Sequence, residues 1–237
     1  MRRLWEGGCL KSERILVVEY LAETLWRLEE VRRGFRSRFD AQVKEALQWV
    51  LSRQGLEGAY RNLFSPTEKD VLGIQLLTGE RIVSGAALRH ILGEEALRTL
   101  IVWNLGSSPA VREAVKSFRT LLDIGSGRRA RETGFYCCYR CTPAFLRTLA
   151  VAQPDGWEGI LERGIGNIRR SRTADGRWRG FPFHYTLLTL SEMDMASAKA
   201  ELRHARKVAE GLLKRYRNDD RTSRFRRLGL EAALETA

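Results

Sequence analysis

Three of the four cysteines fall within five residues, in Tyr136-Cys137-Cys138-Tyr139-Arg140-Cys141. A thiolate is both a nucleophile and a soft metal ligand, and Cys138 and Cys141 have the C-x-x-C spacing of many zinc-binding turns. The plain alternative is packing, because a free cysteine behaves as a small apolar side chain and is often buried. No His or Asp stands at a recognisable motif spacing from Cys137 or Cys138, which leaves covalent catalysis without its usual partners. His90, read on a short helix ending at Gly93, and His204 in a basic C-terminal helix are expected to be packing or surface residues. The cysteines lack the spaced framework of a small secreted domain, so structural disulfides are not expected. Phosphate loops, dinucleotide fingerprints and serine elbows do not occur.

The elements that must position these cysteines are helices. Apolar residues recur at three- and four-residue steps, as in Val43, Ala46, Leu47, Val50 and Leu51 and in Val111, Ala114, Val115, Phe118, Leu121 and Leu122. Ser65-Pro66-Thr67-Glu68, Ser108-Pro109 and Thr142-Pro143 read as helix starts, and Gly79, Gly93, Gly106 and Gly125 as stops. The expectation is about ten short helices and no convincing strand. A long amphipathic helix is expected over 12–33 and another over 194–218, with a short docking helix over 228–234 inside a C-terminal flank of 194–236.

Three segments share a finer pattern: a helix, a polar turn with a glycine at a fixed place, and an aromatic after it. Gly58, Gly127 and Gly176 each lie nine residues after Trp49, Phe118 and Asn167. The first copy runs Ala46 to Tyr60, the second Phe118 to Arg129, the third Arg163 to Trp178. These residues resemble the QW motif of squalene and oxidosqualene cyclases and the related repeats of protein prenyltransferases. The first copy keeps Ala46, Trp49, Val50, Gln54 and Gly58 but has Glu45 and Tyr60 where the motif has a basic residue and Trp. The third keeps Arg163, Gly164, Ile168, Gly176 and Trp178 but has Asn167 and Arg172 for the aromatic and the Gln. The middle copy keeps only Phe118 and Gly127. Helical hairpins with glycine-aromatic turns also arise in many all-helical proteins.

The resemblance covers residues 42–190 and implies an all-α, α/α-toroid-like fold of about five hairpins in inner and outer layers. The ring would be incomplete, or closed by the terminal helices or a second subunit. It also implies a central apolar pocket and transferase or lyase chemistry on an isoprenoid or other hydrophobic ligand. The cyclases' Asp-x-Asp-Asp acid is missing, and so is the prenyltransferases' Asp-x-Cys zinc pair. What survives is the cysteine cluster, set where prenyltransferases place a zinc-binding histidine, with Cys137, Cys138 and Cys141 as zinc ligands and His184 approaching from the next inner helix. Under the same resemblance Arg128, Arg129 and Arg131 become diphosphate contacts, with Tyr136 and Tyr185 lining the substrate. The bland reading of those arginines is a solvated turn.

Composition limits the alternatives. A chain of 237 residues with 43% apolar and 30% charged residues can build one core, and a single domain over 1–237 is expected. The best apolar run, Ile15 to Leu28, is broken by Glu19, Glu23 and Arg27, so no membrane span is expected. The start of the sequence lacks the apolar core of a secretion signal, which makes the cytoplasm the expected location. The net charge is +12, and 34 of the 41 basic residues are arginine. That balance opens a second functional reading, a non-catalytic helical-repeat module holding nucleic acid through phosphates. Arg169, Arg170, Arg172, Arg203, Arg206 and Arg217 on one concave face would favour it. A third reading is a homodimer, or a scaffold for a protein partner, built on the two terminal helices.

Overall fold

The structure is a computed structural model describing residues 14–36, 40–216 and 219–236. Ten helices carry it: α1 (Leu21–Arg32), α2 (Asp40–Ser52), α3 (Gly85–Val102), α4 (Pro109–Leu121), α5 (Gly125–Thr133), α6 (Cys141–Ala152), α7 (Trp157–Arg170), α8 (Phe183–Ser191), α9 (Ala196–Leu213) and α10 (Arg221–Glu235). An all-α class is therefore correct, with one addition: two-residue strands β1 (Ile74–Gln75) and β2 (Arg81–Ile82) pair antiparallel around Gly79.

Burial sorts the helices into two kinds. In α3, 13 of 18 residues are buried, in α6 nine of 12 and in α8 seven of nine, so these helices are enclosed nearly all round. Helices α2, α4 and α7 bury only one stripe each, Val43, Ala46, Leu47 and Val50 in α2 and Val111, Ala114, Phe118 and Leu121 in α4. The enclosed helices pack in series, α1 on α3, α3 on α6 and α6 on α8, while α2, α4, α5, α7 and α9 lie against one another and over them. Helix α10 covers α8 and α9. Its Gly229 permits that approach, since a Cβ there would stand 2.8 Å from Leu187 Cβ.

Several starts and stops differ from expectation. Within the described residues the first helix begins at Leu21, not near residue 12, and nine of its 12 residues are buried, so it is a core helix and not an amphipathic one. The other end helix spans Ala196–Leu213, and the docking segment 228–234 is part of α10. Gly93 does not stop a helix; α3 runs through it, because a Cβ there would press on Leu63 Cβ at 3.1 Å. Gly125 begins α5 instead of ending a helix. Ser108 caps α4 ahead of Pro109 as read, but Ser65-Pro66-Thr67 leads only to a single 3-10 turn, Asp70–Leu72.

That turn has a different task. The Asp70 carboxylate accepts from Leu21 N–H at 2.8 Å and Ala22 N–H at 3.2 Å, capping α1 from 49 residues away. Further along the same segment, Glu80 accepts from Tyr185 N–H near the start of α8 at 3.1 Å, and the Gln75 and Thr78 carbonyls accept from Trp26 and Arg226. The stretch between α2 and α3 thus fastens α1, α8 and α10.

Two of the three repeats share geometry. After α2 and after α7 the chain makes an isolated antiparallel bridge, Gln54 to Phe64 and Arg172 to Trp178, with Gly58 and Gly176 at φ of 85° and 81° in the turns. Only glycine adopts that backbone freely. The middle copy departs: Gly127 lies inside α5, where a Cβ would clash with the Leu121 carbonyl at 2.0 Å.

Candidate metal centre and the buried charge network

The cysteine turn connects α5 to α6. Thr142, in the first turn of α6, ties it together: its hydroxyl stands 2.8 Å from the Tyr136 carbonyl and 2.9 Å from the Cys138 carbonyl, with one proton to share between them, and accepts from Tyr136 N–H at 3.2 Å. Thr142 is therefore a clamp across the turn and not the helix cap its Thr-Pro sequence suggests. Cys137 sits between with a left-handed backbone, φ 48°, a conformation held in place by its surroundings. Cys138 and Cys137 are half-buried, Cys141 is buried, and all three carry free thiols; Cys9 lies outside the described residues.

The third dimension adds a residue read as ordinary packing. His90 of α3 lies over the turn, and one ligand atom each from His90, Cys137 and Cys141 lie within 4.8 Å of one another. Cys138 Sγ is 3.4 Å from Cys141 Sγ. His90 is held between Tyr60, ring centroids 3.9 Å apart, and Tyr136 at 5.3 Å, and Tyr136 stacks on Phe145 at 4.6 Å. One helical turn beyond His90 stands Glu94, fully buried. His90 Nδ1, both Glu94 carboxyl oxygens and the Tyr136 hydroxyl are all buried without a hydrogen-bond partner, the hydroxyl lying near Glu94 but outside bonding geometry.

Electrostatics follow from that burial. Desolvation lowers His90 to about 4, so its imidazole is neutral at physiological pH. Desolvation raises Glu94 well above the carboxylate range, which keeps it protonated. Burial pushes the Cys137 thiol up, while the Cys141 thiol beside Cys138 pulls Cys138 down to about 5 and is itself raised by that hydrogen bond.

His184 is not among these residues. It lies in α8, its Nε2 3.0 Å from the Tyr216 hydroxyl, and burial with Arg226 and Arg177 nearby lowers it to about 3. It is not in the group of closely spaced donors that the ligand set expected of it requires. On α5, exposed Arg128 pairs with Glu132 and Arg131 with Asp123 just before the helix, and Arg129 lies over Phe135 at 4.7 Å. Those three arginines do not converge with Tyr185.

Tyr185 belongs to a second buried cluster. Arg147 of α6, with no exposed side-chain surface, donates to Glu95 at 2.7 Å and to both Glu192 oxygens at 3.0 Å. Arg98 joins Glu192 at 3.0 Å and Glu29 at 3.4 Å, Arg33 bridges Glu29 and Glu192, and the Tyr185 hydroxyl donates to Glu95. Burial opposes ionisation of Glu192, yet Arg147 and Arg98 hold it down to about 2. At this level the space between the enclosed helices is filled by ion pairs and not by an apolar pocket.

The remaining basic candidates lie on outer helices and in the turn after α7. Arg169 and Arg172 both pair with the buried Glu201, at 3.2 and 2.9 Å, Arg170 bonds Asn167, and Arg206 pairs with Glu210; Arg203 also has a partner, and Arg217 lies outside the described residues. Among the described residues no helix is long and apolar enough to cross a membrane.

The signal that was available for the site is the pair His90 and Glu94, four apart on one face once α3 is allowed to run through Gly93. The meeting of that face with a turn some fifty residues later is a tertiary fact. Compared with known proteins, the chain matches no family model, no curated protein and no solved structure.

Proposed function

We propose that this chain is a zinc protein whose ion is held by His90, Cys137 and Cys141, where α3 meets the turn before α6. One observation carries the reading: three suitable donors lie within 4.8 Å of one another, and His90 Nδ1 has no other partner. Thiolates with a neutral imidazole suit zinc and disfavour magnesium or calcium, which take oxygen donors. When bound, zinc would hold the thiols as thiolates and act as a Lewis acid on a further ligand. Cys138, in contact with Cys141, stands next to the trio, and Glu94 keeps a proton at its carboxyl beside it. Tyr60 and Tyr136 hold the His90 ring on its two sides.

The layered helices and the two matching QW-like turns favour an α/α-toroid relationship, and with it transfer chemistry on an isoprenoid-like ligand. For the nucleic-acid reading the support is weaker, since Arg169 and Arg172 are turned onto Glu201.

Elemental mass spectrometry on chain purified without chelator tests the proposal. About one zinc per chain is expected, falling at least tenfold in His90→Ala or Cys141→Ser while circular dichroism stays helical. Parent protein that takes up no zinc under reducing conditions, or a His90→Ala variant that keeps it, defeats the assignment.

A further inference from the structure

We infer that Cys138 and Cys141 are a redox-active dithiol, and that their disulfide and the metal exclude each other because Cys141 serves both. The metal half rests on the zinc reading above; the dithiol half does not. The two sulfurs are already 3.4 Å apart, so the bond needs little movement. Cys138 is half-buried and reachable, while Cys141 has no exposed surface. An outside oxidant therefore meets Cys138 before Cys141, which lies against it and can resolve the product.

The third thiol is a poor partner. Cys137 and Cys138 are neighbours through a trans peptide, which sets their Cα atoms about 3.8 Å apart, shorter than disulfides tolerate. Between Cys137 and Cys138 as partners for Cys141, the 3.4 Å sulfur contact selects Cys138, which leaves Cys137 to the metal.

The co-reactant is a low-molecular-weight disulfide such as glutathione disulfide. Cys138 sulfur attacks one of its sulfurs, forming a mixed disulfide and releasing one glutathione thiolate. Cys141 sulfur then attacks Cys138 sulfur and releases the second. Two electrons pass from the protein to the partner disulfide, and the two thiol protons end on the two glutathiones.

The experiment uses the full chain with Cys9→Ser, reduced and freed of metal, equilibrated with glutathione disulfide and mapped by alkylation and peptide mass. The expected product links Cys138 to Cys141 and leaves Cys137 alkylated. Cys141→Ser should stop at a glutathione adduct on Cys138. Three alkylatable thiols after equilibration, or a link to Cys137, overturns the dithiol. Preloading with zinc should slow disulfide formation roughly tenfold or more, and hydrogen peroxide should release zinc to a chromogenic chelator as the bond forms. Zinc retained after the Cys138–Cys141 bond has formed overturns the exclusion. A chain that takes no zinc yet forms the bond defeats the metal reading and leaves the dithiol standing; one that takes zinc and keeps three thiols does the reverse.

Discussion

Glu94 and Glu95 are neighbours on α3, both buried, and they meet opposite fates. Glu95 turns into a cluster where Arg147 and Tyr185 satisfy it, among Arg147, Arg98, Arg33 and three carboxylates in which Arg98 Nε is the one buried polar atom without a partner. Glu94 turns toward the cysteines and has only the nearby Tyr136 hydroxyl, outside bonding geometry, in company with the unpartnered His90 Nδ1. The same two helices, α3 and α6, supply both clusters. A buried polar group without a partner costs free energy, so a complete set reads as structure and an incomplete one as a place awaiting a ligand.

The contrast breaks hardest at Arg147. Arg147→Met leaves the buried Glu95 without its cation and the half-buried Glu192 with only Arg98 and Arg33, and a loss of about 3–5 kcal/mol is expected in urea denaturation. Little loss would mean that the network contributes no more than a packed apolar core. Acid should act next, through the other kind of group. In the metal-free chain His90 and His184 titrate near 4 and 3, below the usual 6.5. The unfolded chain therefore takes up protons first, and stability present above pH 6.5 is lost as pH falls toward 4. By pH 5 each histidine should account for about 2 kcal/mol at most, and His184→Gln should flatten the slope. Because the raised Glu94 works in the opposite direction, the test is the difference between chains: a His184→Gln variant with the parent's pH dependence would contradict the burial of that ring. The smallest effect sharpens the comparison directly. Glu94→Gln replaces a protonated acid by a near-isostere and should cost under about 1 kcal/mol, whereas Glu95→Gln should cost about 2 kcal/mol by weakening two buried bonds. Equal losses would erase the distinction between the two clusters.

Much of the scaffold was legible. The stripes of α2 and α4, the Ser108-Pro109 start and the turns at Gly58 and Gly176 follow from local chemistry, which needs no knowledge of the rest of the chain. Failures came where a residue's reason lies elsewhere in sequence. Gly93 looks like a stop but is small because Leu63 presses on it. His90, placed near that false stop, then looked ordinary. The cysteine cluster is visible as a spacing, but the histidine that stands beside it lies on α3 and not on α8, where the resemblance points.

Repeat proteins gain and lose hairpins at their ends with ease, because each unit touches only its neighbours. The cap that Asp70 lends to α1, and the one Glu80 lends to α8, work against such traffic here. Helix α1 cannot be exchanged or duplicated without the stretch that carries Asp70, and that stretch also serves the far side of the molecule. Loss of that stretch would uncap α1 and α8 together, so the two helices stand or fall with it.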